Sequence, residues 1–117
     1  MNQEQADAIF GRYLKHHARC DLEEVLRLFD EDAFVEDPVG AEVHRGEAAR
    51  RAFYSGTQTR NGPLEFERVG PSLFGRSELT AHVLAGITRP GSPPPMDVIY
   101  VLEFSPAGKI ASLRAWY

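Results

Sequence analysis

The chain has 117 residues, of which 43% are hydrophobic, and its formal net charge is −4. This length fits one hydrophobic core, so we predict a single domain over residues 1–117. The 13 Lys and Arg residues are scattered rather than gathered into a basic stripe, which argues against a nucleic-acid partner. A small molecule or a protein is the expected partner.

Membrane, secretion and metal sites have little support in the sequence. The N-terminus lacks a basic region followed by an apolar run, and the apolar stretches are too short to span a bilayer, so we expect a cytoplasmic protein without a membrane partner. Cys20 is the only cysteine, so no internal disulfide is possible. His16 and His17 diverge by about 100° on a helix and cannot form the i, i+4 pair of a helical zinc site. We predict no metal and a solvated histidine pair.

Helical patterns dominate the first half of the chain. Apolar positions over residues 5–17 recur at helical spacing and predict an amphipathic helix with Tyr13 on its inner face. Residues 21–24 have the form of a capping box, and a second helix is predicted after it, with Phe29 among its inward residues. A short extended segment and then a third helix over residues 46–54 complete this half.

From residue 63 onward the hydrophobic period changes to two. A Pro-rich loop at residues 89–95 and a hairpin turn at residues 105–108 separate segments that are predicted to be strands. Those segments are residues 64–69, 79–87, 96–104 and 109–117. Three helices followed by four long strands predict an α+β fold, in which a curved antiparallel sheet wraps the helices and leaves an apolar pocket between them.

The stretch FVEDPVG at residues 34–40 places two carboxylates next to each other before a proline. Neighbouring side chains on an extended segment point to opposite faces, so Glu36 and Asp37 cannot both face solvent. Pro38 restricts Asp37 to extended backbone. A partly desolvated Asp at the lip of an apolar pocket is a suitable general base for a carbon acid. We predict that Asp37 faces inward and that Glu36 is solvated or in a salt bridge.

These motifs together resemble the steroid Δ5-isomerases, or ketosteroid isomerases, of the NTF2-like (SnoaL-like) superfamily with its cone-shaped fold. The run V-E-D-P-V-G, behind a helix that carries Tyr13, is the most specific part of the resemblance. Nearly the whole chain is covered, most weakly between Ser55 and Pro95. The matching segments are residues 9–13, 21–22, 28–40, 46–54, 96–104 and 108–117.

The resemblance implies a cofactor-free steroid Δ-isomerase that converts a Δ5-3-ketosteroid into the conjugated Δ4 enone. Asp37 matches the general base, and Tyr13 matches the oxyanion-hole tyrosine that donates to the developing enolate. Tyr54 matches a tyrosine that hydrogen-bonds behind that donor in some members. A small hydrophobic, steroid-like substrate and a homodimer formed through the outer face of the sheet are also implied.

One position departs from the family pattern. The family often has D-V-I-D-V where this chain has DVIYV at residues 97–101, so Tyr100 occupies the position of the second oxyanion-hole Asp. Asp97 lies an odd number of residues away and should face the other side of the strand. Tyr100 could donate as a neutral phenol, could fill part of the pocket and leave room for a smaller substrate, or could be a core aromatic in a member without isomerase activity.

The pocket wall is predicted from the same resemblance and from strand alternation. Trp116 should face away from the pocket, while His44 and His82 have no evident partner and are predicted to lie on the surface. The residues predicted to line or support the pocket are Tyr54, Phe29, Val39, Val98, Leu113, Ala115 and Tyr117.

Less specific interpretations stay open at this point. A tyrosine on an apolar helix face, such as Tyr13, is more often a core residue than a catalytic donor, and an Asp before proline, such as Asp37, is most often a turn or cap residue. The alternatives to isomerisation are a non-catalytic NTF2-like module that binds a lipophilic ligand or a protein, and a different SnoaL-like reaction such as a cyclisation or dehydration.

Overall fold

The first helix, α1 (Gln3–Ala18), begins at a capping box in the computed structural model, which describes residues 1–117. The Asn2 side chain accepts from the Gln5 amide at 2.8 Å, and the Gln5 side chain accepts from the Asn2 amide at 2.9 Å. The predicted inner face is confirmed. Its buried residues are Ala6, Ile9, Phe10, Tyr13, Leu14 and His17.

The second helix, α2 (Leu22–Arg27), is shorter than predicted, and its N-terminus lacks the predicted capping box. Asp21 makes no side-chain cap hydrogen bond; its Oδ2 lies 3.8 Å from Nδ1 of His16 instead. The prediction that Phe29 belongs to this helix is wrong. The carbonyl of Leu28 accepts from the amide of Ile110 at 2.8 Å, and this long-range bond draws the chain into the sheet one residue later.

Two strands, β1 (Phe29–Glu36) and β2 (Val43–Arg45), precede the third helix, α3 (Glu47–Asn61). Helices and strands therefore interleave. The short extended segment predicted before the third helix belongs to β1, an eight-residue strand that the predicted plan of three helices followed by four long strands did not include. Gly46, with φ of 89°, makes the turn from β2 into α3, which is a backbone conformation that favours glycine. The buried residues of α3 are Arg50, Tyr54 and Thr57.

All four segments with a period of two form strands. They are β3 (Leu64–Arg68), β5 (Glu78–Ile87), β6 (Met96–Phe104) and β7 (Ile110–Trp116), with a short additional strand, β4 (Leu73–Gly75). The predicted hairpin turn is confirmed between β6 and β7. The amide of Gly108, whose φ is 78°, donates to the carbonyl of Ser105 at 3.0 Å.

The seven strands form one sheet in the order β2-β1-β7-β6-β5-β3, with β4 beside β5. The pair β1–β7 is parallel and the other pairs are antiparallel. The core lies between the inner face of this sheet and the three helices, so the α+β expectation is confirmed. None of the helices combines the length and the apolar composition required to cross a membrane.

The side chains of Tyr100 and Asp97 lie on opposite faces of β6, as the strand alternation predicted. Val98 and Tyr100 are buried, while Asp97 and Ile99 lie on the outer face. Asp97 pairs there with His82 of β5, with 2.6 Å between Oδ1 and Nε2. The sequence indicated no partner for His82; antiparallel pairing of β5 and β6 supplies one, because it brings the two side chains into diagonal contact on the outer face.

Candidate active site

Asp37 follows the last residue of β1 and borders a cavity of about 340 Å³ between the sheet and α3. Burial raises the pKa of its carboxyl group above the usual value. A hydrogen bond from the Tyr117 hydroxyl, at 2.5 Å, and the nearby His44 oppose this rise by favouring the charged form. The carboxylate is therefore a stronger base than an exposed Asp, and it is held in one orientation.

Glu36 points away from this cavity, as predicted. Its Oε1 accepts from Nε of Arg114 at 2.9 Å, and its Oε2 accepts from the amide of Gly40 at 3.0 Å. The Gly40 amide and the Arg114 guanidinium lower the pKa of Glu36. The Asp37–Pro38 peptide bond is cis, and the amide of Val39 donates to the carbonyl of Ala115 at 2.7 Å. This backbone bond attaches the segment after Asp37 to β7.

Three tyrosines from three different elements meet beside the cavity. Tyr13 of α1 and Tyr54 of α3 share a hydrogen bond of 2.9 Å between their hydroxyl groups. The ring of Tyr100 from β6 lies edge-on to that of Tyr13, with 6.1 Å between centroids. Burial raises the pKa of all three phenols well above 10, and the charge of Asp37 adds to the rise. At neutral pH each tyrosine is therefore a neutral hydrogen-bond donor.

Four residues predicted for the site line the cavity directly: Asp37, Val98, Tyr100 and Tyr117. The remaining six lie outside that lining. Tyr13, Tyr54, Phe29, Leu113 and Ala115 are core residues, and Val39 is half-buried. Of these, Tyr13, Tyr54 and Phe29 form one cluster of rings, with centroid distances of 6.0 to 6.3 Å. The catalytic and supporting roles of all ten stay predictions.

The Tyr100 ring forms part of the cavity wall and does not fill the cavity. Its ring packs edge-on against Phe10, with 5.4 Å between centroids, and leaves a volume of about 340 Å³. This volume is near the lower end of the range of about 300–1,000 Å³ that is usual for ligand pockets. Asp37 is bonded to Tyr117 and not to an arginine. A carboxylate that borders an open cavity and has no arginine partner is the arrangement expected of a general base.

Comparison with known proteins agrees with the fold. Residues 10–113 match the model of the SnoaL-like domain. The chain belongs to the SnoaL-like domain family. The steroid Delta-isomerase of Nocardioides simplex is 30% identical to this chain, and the alignment covers 97% of this chain and 89% of that protein.

One solved structure is similar to this SnoaL-like chain with a TM-score of 0.82 and 25% sequence identity. The match covers 97% of this chain and 90% of the chain in that structure. It is described as SalBIII, an epoxide hydrolase/cyclase-like enzyme with a role in pyran ring formation in the polyether salinomycin. The expected NTF2-like superfamily is thus confirmed. Both of these relatives are enzymes, and they carry out different reactions.

Two histidines of this SnoaL-like chain lie closer to the site than predicted. His17 is not solvated: it is only 4% exposed, and burial lowers its pKa to about 4. The helical spacing from Tyr13 to His17 already placed both on one face and was the usable signal. His44, predicted to lie on the surface, packs at a tilt against Phe53 with 4.6 Å between ring centroids. No sequence pattern indicated that contact.

Proposed function

We propose that this SnoaL-like protein is a cofactor-free isomerase that transposes the double bond of a β,γ-unsaturated ketone, such as a Δ5-3-ketosteroid or a smaller analogue. The observation that carries the proposal is the position of Asp37. Its partly desolvated carboxylate, oriented by Tyr117, borders the same cavity as the Tyr100 phenol. A base and a neutral donor facing one apolar space match the two needs of carbon-acid chemistry.

In the proposed reaction, the Asp37 carboxylate removes a proton from the carbon between the carbonyl and the alkene. The C–H electron pair becomes conjugated, and the negative charge moves to the carbonyl oxygen to form a dienolate. The Asp37 carboxylic acid then returns the proton to the far end of the conjugated system. The carboxylate is restored and no cofactor is consumed, so the step is an internal proton transfer.

The tyrosines would stabilise the dienolate oxygen. Tyr13 is fully buried behind the cavity lining, so in the proposed reaction it would reach the substrate only where the ligand displaces that lining. Its hydroxyl lies 2.9 Å from that of Tyr54, so it can accept from Tyr54 and keep its own proton for that contact. Tyr100 would donate from the strand side, as a phenol in place of the family's second Asp. One pre-set donor in a dry cavity is worth about 3 kcal/mol of barrier, judged from the removal of such donors in other enzymes.

A second candidate function is a cyclisation or dehydration. It is favoured by the 0.82 TM-score of the epoxide hydrolase/cyclase-like neighbour, and it could also use a pocket carboxylate with a neutral phenol as acid. The non-catalytic alternative is disfavoured, because Asp37 is not neutralised by an arginine and Tyr100 does not fill the cavity.

The test is a direct assay of isomerisation. Purified protein is mixed with 5-androstene-3,17-dione and, separately, with cyclohex-3-en-1-one, and the ultraviolet absorbance of the conjugated enone is followed. We expect turnover of at least one ketone and a loss of about 10²–10⁴-fold in the Asp37→Asn variant. Equal rates for the wild type and the variant on both ketones would reject the isomerase.

We also propose that two copies pair through the outer face of the sheet. Ile99 and Trp116 lie opposite each other on β6 and β7, and they are 39% and 37% exposed. Such apolar side chains on a sheet face are typical of subunit contacts. In sedimentation at micromolar concentration we expect a dimer that is lost in Trp116→Lys. A monomeric wild type would contradict the proposal.

A further inference from the structure

The cavity has a polar side chain that the proposed reaction does not use. His17, in the last turn of α1, lines the cavity together with Asp37 and Tyr100. Its ring is packed among three others, with centroid distances of 5.6 Å to Tyr13, 5.3 Å to Tyr54 and 5.7 Å to Phe66. His17 is thus an imidazole inside an aromatic cage.

The hydrogen-bonding capacity of this imidazole is not satisfied within the protein. Its Nδ1 is buried and has no hydrogen-bond partner. Buried polar groups are almost always paired, because leaving one unpaired costs free energy that a carbon atom in the same place would not. A phenylalanine would fill the same aromatic cage without that cost. Because the His17 side chain borders the cavity, a ligand bound there can supply a hydrogen-bond partner that the protein does not.

Other roles for His17 fit the surroundings less well. No group of three or more metal-ligating side chains is present around it or elsewhere in the chain. Burial lowers its pKa to about 4, so at neutral pH the ring is uncharged, with one N–H donor and one bare nitrogen acceptor. A neutral imidazole of this kind can bond a hydroxyl or a carbonyl oxygen, and it is a poor proton donor in acid catalysis.

The cavity has polar groups on two sides. Asp37, Tyr100 and Tyr117 come from the sheet strands and the segments that follow them. On the helical side, His17 is joined by Thr57, Arg60 and Asn61 from the C-terminal half of α3. Apolar side chains, including Phe66 and Val98, complete the lining. A ligand that satisfies both sides needs an apolar body and at least two oxygens.

We propose that His17 is a specificity-determining residue that hydrogen-bonds a second oxygen of the substrate. The cavity would then select compact ring compounds with two oxygen functions, hydroxyl or carbonyl, over otherwise equal compounds with one. This inference rests on the proposed function for placing the first oxygen at the tyrosines. Its test measures binding, so it does not require turnover.

The experiment compares planar phenols that fit a small cavity. Dissociation constants are measured by titration calorimetry for 2-naphthol and for 1,6-, 2,6- and 2,7-dihydroxynaphthalene. We expect at least one diol to bind the wild type about three- to tenfold more tightly than 2-naphthol, which is the net size of one hydrogen bond. Without a partner, the second hydroxyl would weaken binding, because its burial would cost hydration.

Two variants separate His17 from the rest of the fold. In His17→Phe, which keeps a ring in the aromatic cage, the preference for the diol should disappear while the affinity for 2-naphthol stays within about twofold. In the control His82→Phe, which changes a histidine on the outer face of the sheet, the preference should remain. A spectroscopic readout on the wild type adds a third arm: the imidazole ¹⁵N resonances of His17 should shift with the diol and not with 2-naphthol.

Three results would overturn the proposal: failure of all four phenols to bind, no diol preference in the wild type, or a preference that survives in His17→Phe. If His17→Phe does not fold, unshifted His17 ¹⁵N resonances in the diol complex overturn it equally. The proposed isomerase can fail independently. A diol preference that depends on His17, together with equal isomerisation rates for the wild type and Asp37→Asn, would reject the reaction and leave the recognition role intact.

Discussion

The Tyr117 hydroxyl donates a hydrogen bond to Oδ1 of Asp37, at 2.5 Å, across 80 positions of sequence. Because a bond to the charged form favours ionisation, this phenol holds down a pKa that burial raises. Burial and the bond to the Asp37 carboxylate raise the pKa of the Tyr117 hydroxyl well above its usual value, so the hydroxyl keeps its proton at neutral pH. The proposed base is thus oriented by a donor that stays protonated at neutral pH.

Tyr117→Phe should move the acidic limb of the pH profile of kcat/KM to higher pH. Removal of the hydroxyl leaves burial unopposed by that bond, so the Asp37 pKa rises and protonated, inactive enzyme persists to higher pH. The measurement is the enone assay between pH 4 and pH 8. Trp116→Phe, one residue earlier and on the outer face, should leave the limb in place. An unmoved limb in Tyr117→Phe would mean that Asp37 is not the titrating base.

Asp37→Asn should make the protein more stable at pH 7 while abolishing isomerisation. The pKa of Asp37 is higher in the folded state than in the unfolded state, where it is near 3.9. Its favourable contribution to the free energy of unfolding is therefore present below the unfolded pKa and is lost as pH rises through the folded pKa. At neutral pH the buried charge is a cost, and its removal should add about 0.5–2 kcal/mol to the free energy of unfolding in urea.

The adjacent Glu36 is the matched control for that measurement. The Gly40 amide and Arg114 lower the pKa of Glu36. Its contribution to the free energy of unfolding is therefore present above the unfolded pKa and is lost as pH falls through the folded pKa. Glu36→Gln should therefore decrease stability at pH 7, opposite in sign to Asp37→Asn. Destabilisation by both substitutions would contradict the assignment of an inward and an outward carboxylate.

Tyr13→Phe and Tyr100→Phe should each lower kcat by about 10²–10³-fold, because each removes a donor to the dienolate oxygen. Tyr54→Phe should cost less, about tenfold, since its hydroxyl acts through that of Tyr13. Steady-state kinetics on the better ketone distinguishes these cases. If Tyr100 is only a core aromatic, Tyr100→Phe will keep the wild-type kcat, and the role of second donor must be withdrawn.

His17→Phe should remove a pH dependence of stability. The folded pKa of His17, about 4, lies below its unfolded value of 6.5, so the unfolded chain binds the extra proton as pH falls through this window. Each pH unit is worth about 1.4 kcal/mol per proton, so His17 should cost up to about 3 kcal/mol of stability between pH 6.5 and pH 4. Urea unfolding at several pH values measures the slope, which should be shallower in His17→Phe and unchanged in His82→Phe.

Local periodicity was sufficient to predict which face of its own helix or strand a candidate residue lies on. A period of 3.6 placed Tyr13 on the inner face of α1, and a period of two placed Tyr100 inward and Asp97 outward on β6. The same alternation separated Asp37 from Glu36, and a family motif around them indicated the SnoaL-like fold. These properties depend on backbone geometry within one element, and a single sequence determines that geometry.

Contacts between distant elements were decided only by the tertiary structure. The bond between Tyr117 and Asp37 depends on how β7 lies parallel to β1, and the same pairing drew Phe29 out of the predicted helix. The burial of His17 depends on packing against Phe66 of β3, a residue distant in sequence. Sequence spacing determines which way a side chain points from its own element, whereas strand order and register determine what it meets, and these result from packing of the whole chain.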